Sequence, residues 1–321
     1  MKNTRRQGVH FVLALSTLLI VVGLLAAGPL SVPATASGSQ TYVFQQGGGY
    51  GGATDTTPYL LYLPLVDTSS PSGQPMPVGD IPGWHQVFTD DFLTDVPVGS
   101  FPVVGNPGPI SAVSSKWTAY PDGWKDTSKN GTYYPSKVLS IQNGFMNLYI
   151  HTENGVHMVS AAEPKLPGAV GTDPGGLLYG RYVIRFKSDS LPGYKTTGIL
   201  WPESEVWPRD GEIDFPEGNL DGTIEAFMHW QGGTSGGSQD AYSTNTTYTS
   251  WHTAVTEWTP TSVKFILDGE TIGNSTTMAH IPNTLMHWVI QTETTTHGYP
   301  PSDTVSGNVR VDWVAVYVPS S

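Results

Sequence analysis

The stretch Gly180-Arg181-Tyr182-Val183-Ile184-Arg185-Phe186-Lys187 decides the fold class. Tyr182, Ile184 and Phe186 alternate with Arg181, Val183, Arg185 and Lys187, so an extended chain presents one apolar face and one basic or polar face. This is the pattern of an antiparallel strand with a single buried face. The same pattern recurs outward from it. Short β-branched and aromatic runs lie at 138–141, 146–151, 156–161, 177–187, 195–201, 223–230, 263–267, 288–292 and 309–318. Asn143-Gly144, Asn154-Gly155 and Asp268-Gly269 sit between such runs as hairpin signals. No window past residue 40 carries a helical period, and no internal repeat suggests a propeller. The expectation is an all-β sandwich of two antiparallel sheets.

Composition agrees. Of 321 residues, 37 are Gly and 26 are Pro, and only 13% are charged, which argues against a helical bundle or coiled coil. Ten Trp and 15 Tyr need a core or a ligand, which argues against disorder. A net charge of −12 makes nucleic acid or an anionic lipid surface an unsuitable partner. With no Cys there are no disulfides, no thiol nucleophile and no Cys-ligated metal. A monomer is expected.

The ends of the chain read differently. Lys2, Arg5 and Arg6 precede an apolar run from Phe11 to Ala27, and Ala34-Thr35-Ala36 supplies a small-x-small site. Residues 1–36 are therefore expected to be a signal peptide cleaved after Ala36, placing the protein outside the cytoplasm. The alternative is an uncleaved membrane anchor, although 17 apolar residues (11–27) are few for a span. Residues 37–83, rich in Gly, Ser and Pro, read as a linker. Inside it, the apolar run 59–66 is either a strand on the domain edge or a partner-binding segment. The composition changes at Trp84, and residues 84–319 read as one domain.

The chemistry sits in Trp207-Pro208-Arg209-Asp210-Gly211-Glu212-Ile213-Asp214-Phe215-Pro216-Glu217-Gly218. Glu212 and Asp214, two apart, share one face of a strand. Glu217 is five from Glu212, so a regular strand would turn it away. Pro216 cannot donate to a ladder and is tolerated at bulges. One extra residue there returns Glu217 to the face of the other two. Clustered carboxylates raise one another's pKa, the condition under which one is ionised and another holds a proton. A carboxyl pair flanking a glycosidic bond is the usual machinery of its hydrolysis. The alternative is a solvated face of an exposed strand; the Trp201-Pro202 and Trp207-Pro208 pairs upstream and Phe227, His229 and Trp230 downstream argue for a site.

The twelve residues 207–218 resemble the signature of glycoside hydrolase family 16, Glu-x-Asp-x-x-Glu after a Trp-Pro lead. The resemblance extends to Phe88–Phe92, Gly180–Tyr182, the stretches 251–260 and 263–269, and Val311–Tyr317, covering about residues 84–318. It implies a concanavalin A-like β-jelly roll and a retaining endo-hydrolase. By position, it makes Glu212 the nucleophile, Asp214 the residue that hydrogen-bonds and tunes it, and Glu217 the acid/base.

The family acts on 1,3- and 1,3-1,4-β-glucans, galactans and xyloglucan. The acidic balance disfavours sulfated galactans, which leaves a neutral β-glucan as the expected polysaccharide substrate. A transglycosylase or galactanase on the same scaffold, or a lectin-like binding module, are the alternatives. A pure binder has no need of Glu212 and Glu217 together.

The resemblance and local chemistry nominate further residues. Trp207 and Trp201 are candidate sugar platforms, with core packing the alternative for Trp201. Trp124, in a polar stretch, is a candidate for the rim. His229 and Gln291 match cleft positions of the family, and Arg209 lies within the signature. Catalysis requires no cofactor. Asp312 matches a position that binds structural calcium in some relatives; a salt bridge is its alternative.

Overall fold

The computed structural model describes residues 41–43, 60–62, 70–172, 174–296 and 300–320. The expected signal peptide and most of the linker lie outside the described residues. From the linker, Leu60–Tyr62 pairs antiparallel with Thr41–Val43, so three residues of the apolar run 59–66 form a strand against the linker's own start.

A second compact unit covers Thr68–Ser321. One of its sheets has seven strands, numbered here in chain order: β1 Trp117–Ala119, β2 Ala161–Pro164, β3 Tyr194–Pro202, β4 Glu212–Asn219, β5 Thr223–His229, β6 Gln239–Thr247 and β7 Met286–Thr294. Their spatial order is β6-β5-β4-β3-β7-β2-β1, with every pairing antiparallel. The other sheet has ten strands. At its centre, Gly180–Ser188 lies between His252–Thr259 and Gly307–Pro319. Helix among the described residues is confined to Ser111–Ser114, Pro135–Val138 and a short 3₁₀ turn. This unit is the all-β sandwich expected from the alternating runs.

Alternation explains the core between the sheets. Ile213 and Phe215 of β4 point inward, and Phe215 meets Phe265 of the ten-stranded sheet edge-on at 5.4 Å. Tyr182 meets Trp288 of β7 in the same way, also at 5.4 Å. Edge-to-face pairs of this kind add about 0.5–1.5 kcal/mol each beyond the area they bury. Since Ile213 and Phe215 take the core side, Glu212 and Asp214 must face out.

Two features differ from the sequence reading. The second face of Gly180–Ser188 is not open to water: Val183 is buried and Arg185 nearly so. Val183, Val255, Trp313, Ala315 and Tyr317 form a smaller cluster outside the sandwich, covered by Met76, Ile81 and Trp84. Nor does the composition break at Trp84 mark the edge of the fold. The segment 70–83 lies on this outer face, where Trp313 Nε1 donates to the Gln74 carbonyl at 2.8 Å. A Ser/Pro/Gly-rich segment reads as linker because it has no period, yet its isolated Met76 and Ile81 suffice to seat it on an apolar sheet face.

Candidate active site

The site begins with a register defect in β4. Against β3, Thr197 pairs with Glu217 and Ile199 with Asp214. Against β5, Glu225 pairs with Glu217 and Phe227 with Asp214. Three steps along β4 thus face two steps on both neighbours, so β4 carries one extra residue between Asp214 and Glu217. This is the bulge expected at Pro216, and it brings Glu217 to the side of Glu212 and Asp214. The Phe215-Pro216 and Trp207-Pro208 peptide bonds are both cis.

All three carboxylates line one cleft of about 830 Å³ on the outer face of the seven-stranded sheet. A smaller recess of about 310 Å³ adjoins it, lined by Asn219, Glu225, Phe227 and Gln239. Lys195, Glu217 and His229 border both.

Burial raises the pKa of Glu212 to about 7, and the Glu217 charge adds to the effect, while hydrogen bonds from Asp214 and Trp207 and the Lys195 charge oppose it. Asp214 is pushed well above the carboxylate range, first by burial and then by the charges of Glu212 and Glu217. A hydrogen bond links it to Glu212, favouring the ionised form there and the protonated form on Asp214. Thr197 Oγ1 donates to Asp214 Oδ1 at 3.4 Å. The two carboxyls titrate as a pair, with Asp214 the harder of the two to ionise.

His229 sits opposite Glu212 on β5, its Nε2 3.5 Å from Asp214 and 3.8 Å from Glu212. Burial lowers its pKa, so it is a neutral imidazole at neutral pH. Donor atoms of Glu212, Asp214 and His229 lie within 4.8 Å of one another, close enough to hold a cation.

Of the other predicted residues, Trp207, Trp201, Trp124, His229 and Gln291 all line the cleft. Trp201 and Trp207 stack at 6.4 Å with planes 17° apart, and Trp207 also meets His229 edge-on at 5.8 Å. Trp207 keeps 39% of its surface exposed and Trp124 56%. Trp201 is anchored through Nε1 to Glu205 at 2.9 Å.

Arg209 does not reach the cleft. Its guanidinium is forked onto Asp210 at 2.6 and 2.7 Å and otherwise faces water. Asp312 lies on the other sheet, where it accepts from Ser72 Oγ. Its Oδ1 is buried without a partner, but the neighbouring charge is the Arg185 guanidinium, which also binds Ser72. A lone carboxylate facing a fixed cation does not supply the six to eight oxygens that calcium takes. The residues present do not fit the ion.

Sequence reasoning missed Lys195, Glu293 and the way the rim loop is held. Lys195 of β3 forms an ion pair with Glu217. Burial works against its charge, but Glu217, Glu293 and Asp214 outweigh that and raise its pKa. Glu293 of β7 accepts from Tyr133 Oη at 2.6 Å and Thr127 Oγ1 at 2.8 Å. Buried Asp126 accepts from Thr294 N and Oγ1 at 2.8 and 2.6 Å. These bonds clamp the loop carrying Trp124 to the end of β7. Only the parity of Lys195-Thr196-Thr197-Gly198-Ile199-Leu200-Trp201 pointed to Lys195: alternate residues from Trp201 back to it share the cleft face.

The model of glycosyl hydrolases family 16 matches residues 149–315 of this chain, which include Glu212, Asp214 and Glu217. No curated protein matches the sequence. Among solved structures, the fold is similar to the laminarinase from Rhodothermus marinus, with a TM-score of 0.58 and 18% identity over 74% of this chain and 98% of that one. It is similar to the catalytic domain of an endo-1,3-beta-glucanase (laminarinase) from Thermotoga petrophila RKU-1, with a TM-score of 0.56 and 17% identity over 76% of this chain and 100% of that one. It is also similar to a structure reported for endo-acting O-glycanases of the human gut microbiota that initiate mucin breakdown, with a TM-score of 0.58 and 16% identity over 76% and 94%. At these identities the likeness establishes the fold.

Proposed function

The chain belongs to glycosyl hydrolases family 16, and from that premise we propose that it is an exported, retaining endo-β-glucanase acting on 1,3- or mixed 1,3-1,4-linked glucan. One observation carries the reading: the β4 bulge sets Glu217 beside the cleft face that already holds Glu212 and Asp214. In the first step, protonated Glu217 gives its proton to the glycosidic oxygen as that C–O bond breaks, and Glu212 bonds to the anomeric carbon. In the second, Glu217 takes a proton from water as the water oxygen replaces Glu212. Asp214 holds Glu212 by a hydrogen bond throughout.

The lining supports a neutral glucan as the substrate. Three lysines face six carboxylates in the main cleft, so the groove does not favour a sulfated chain. The Trp201–Trp207 pair offers stacking faces for neutral sugar rings. Space on both sides of Glu217 supports cleavage within a chain rather than at its end. The neighbours named as laminarinases agree with a glucan.

The test is incubation of the purified protein with laminarin, lichenan, agarose and xyloglucan, with products sized and their anomers followed by NMR. A ladder of oligosaccharides from laminarin or lichenan, appearing first as the β-anomer, is expected. Initial α-anomer would overturn retention, and cleavage of agarose alone would overturn the glucan assignment.

A further inference from the structure

Lys195 faces Asn219 across the β3–β4 ladder, one cleft-side position from Thr197, which faces Glu217. From there its ammonium reaches Glu217, and both side chains are only 16% exposed. The groups around this pair come from every neighbouring strand. Glu212 and Asp214 lie on β4 itself, Glu225 and His229 on β5, and Glu293 on β7. The Tyr248 hydroxyl is also within electrostatic reach of Glu217. Glu293 is fixed by Tyr133 and Thr127, so it cannot swing to neutralise Lys195 fully. An ammonium in such a setting is a permanent counter-charge at the acid/base.

We propose that Lys195 is a positioning residue of the reaction: it fixes the Glu217 carboxyl beside the scissile bond and stabilises its ionised form. The proposal rests on the functional reading above. Glu217 becomes a carboxylate when its proton leaves with the first sugar, and stays one until it accepts a proton from water. Lys195 offsets the charge during that interval, while the glycosyl group is bonded to Glu212. A cation in an ion pair with a carboxyl favours the charged form, so removing Lys195 is a change that the pH profile of the reaction reads. Glu293 works in the opposite sense, drawing part of the Lys195 charge toward the rim loop.

The test is the pH profile of kcat/KM on laminarin or lichenan for the full chain, Lys195→Met, Lys195→Arg and Glu293→Gln, with circular dichroism on each. Loss of the cation in Lys195→Met is expected to move the alkaline limb up by about one pH unit. Lys195→Arg should bring it back. Glu293→Gln should move the limb down, because Lys195 then acts on Glu217 alone. A merely structural role would lower activity at all pH values alike, and that result, or shifts of the same sign in Lys195→Met and Glu293→Gln, would overturn the proposal. Should Lys195→Met fail to fold, the downward shift in Glu293→Gln still decides it. No hydrolysis by the unmodified protein would overturn the functional reading and this proposal with it; hydrolysis with an unmoved limb would overturn this proposal alone.

Discussion

Gly198 of β3 passes directly against the carbonyl of Phe215 in β4: a β-carbon at position 198 would lie 2.8 Å from that oxygen and 3.3 Å from Pro216 Cδ. The bulge that delivers Glu217 to the cleft therefore depends on an absent side chain in the neighbouring strand. Gly198→Ala should force β3 and β4 apart at that point, costing about 1–3 kcal/mol as overpacking usually does. A displaced acid loses activity steeply, so kcat/KM should fall about 100-fold. Urea denaturation and reducing-sugar release measure the two effects. Unchanged activity would mean that the strands have slack around the bulge.

The carboxylates of the site should cost the fold stability in a defined pH window. Glu212 titrates near 7 in the folded chain, against an ordinary glutamate value of 4.5. A group whose pKa is raised by folding contributes stability that is present below its unfolded value and lost as pH rises through its folded value. The loss therefore runs from about pH 4.5 to about pH 7 and is complete above it. Glu212→Gln removes the titration. It should match the parent at pH 4 and exceed it above pH 7 by about 3 kcal/mol, or several degrees in Tm. Calorimetry across that range checks it; a constant difference would place the cost elsewhere than in ionisation.

Roles should separate by chemistry. Glu212→Ala removes the group that forms the covalent intermediate, and azide should restore turnover with inverted product by entering the vacated space. Glu217→Ala should keep more activity on substrates whose leaving group needs no protonation. Identical responses in the two variants would sink the assignment.

Much of this was legible because two local rules coincide here. Alternation put Glu212 and Asp214 on one face of their strand, and a proline at the parity break forecast the bulge. What stayed hidden depends on contacts distant in sequence. Lys195 is 22 residues from Glu217 and Glu293 is 166 from Thr127, and no spacing rule links such pairs. The cover of the outer sheet face was hidden for the opposite reason: a segment without period gives no sign that its Met76 and Ile81 are buried contacts. Arg209 was misplaced because motif membership says nothing about side-chain direction, and Asp210 beside it captures the guanidinium.

Trp207 should matter twice, as a stacking face and as a hydrogen-bond donor to Glu212. Trp207→Ala should raise KM about 10-fold, the equivalent of about 1.4 kcal/mol of lost ring contact. Trp207→Phe keeps a ring and loses the N–H. It should keep most of the affinity and move the acid limb of kcat/KM upward, because one of the bonds that favour ionised Glu212 is gone. An acid limb that stays in place would confine Trp207 to stacking.

Removing the extra residue of β4 and adding another should have unequal effects. Deleting Pro216 leaves Glu-Ile-Asp-Phe-Glu, in which strict alternation keeps all three carboxylates on the cleft face. Both neighbours already count two steps where β4 counts three, so the shortened strand matches their ladders without a defect. Gly198 then faces no bulged carbonyl, and the change should fold. Hydrolysis should persist at a reduced rate, since the acid moves by a fraction of a residue and positioning matters steeply. Inserting Ala after Phe215 turns Glu217 toward the core or demands a second bulge. It also breaks the approach of Glu217 to Lys195. Turnover should vanish while the sandwich, held by Phe215–Phe265 and its neighbours, stays largely intact. Reducing-sugar release from laminarin or lichenan, with circular dichroism as the folding control, reads both variants. A folded, inactive deletion beside an active insertion would show that parity is not what places the acid.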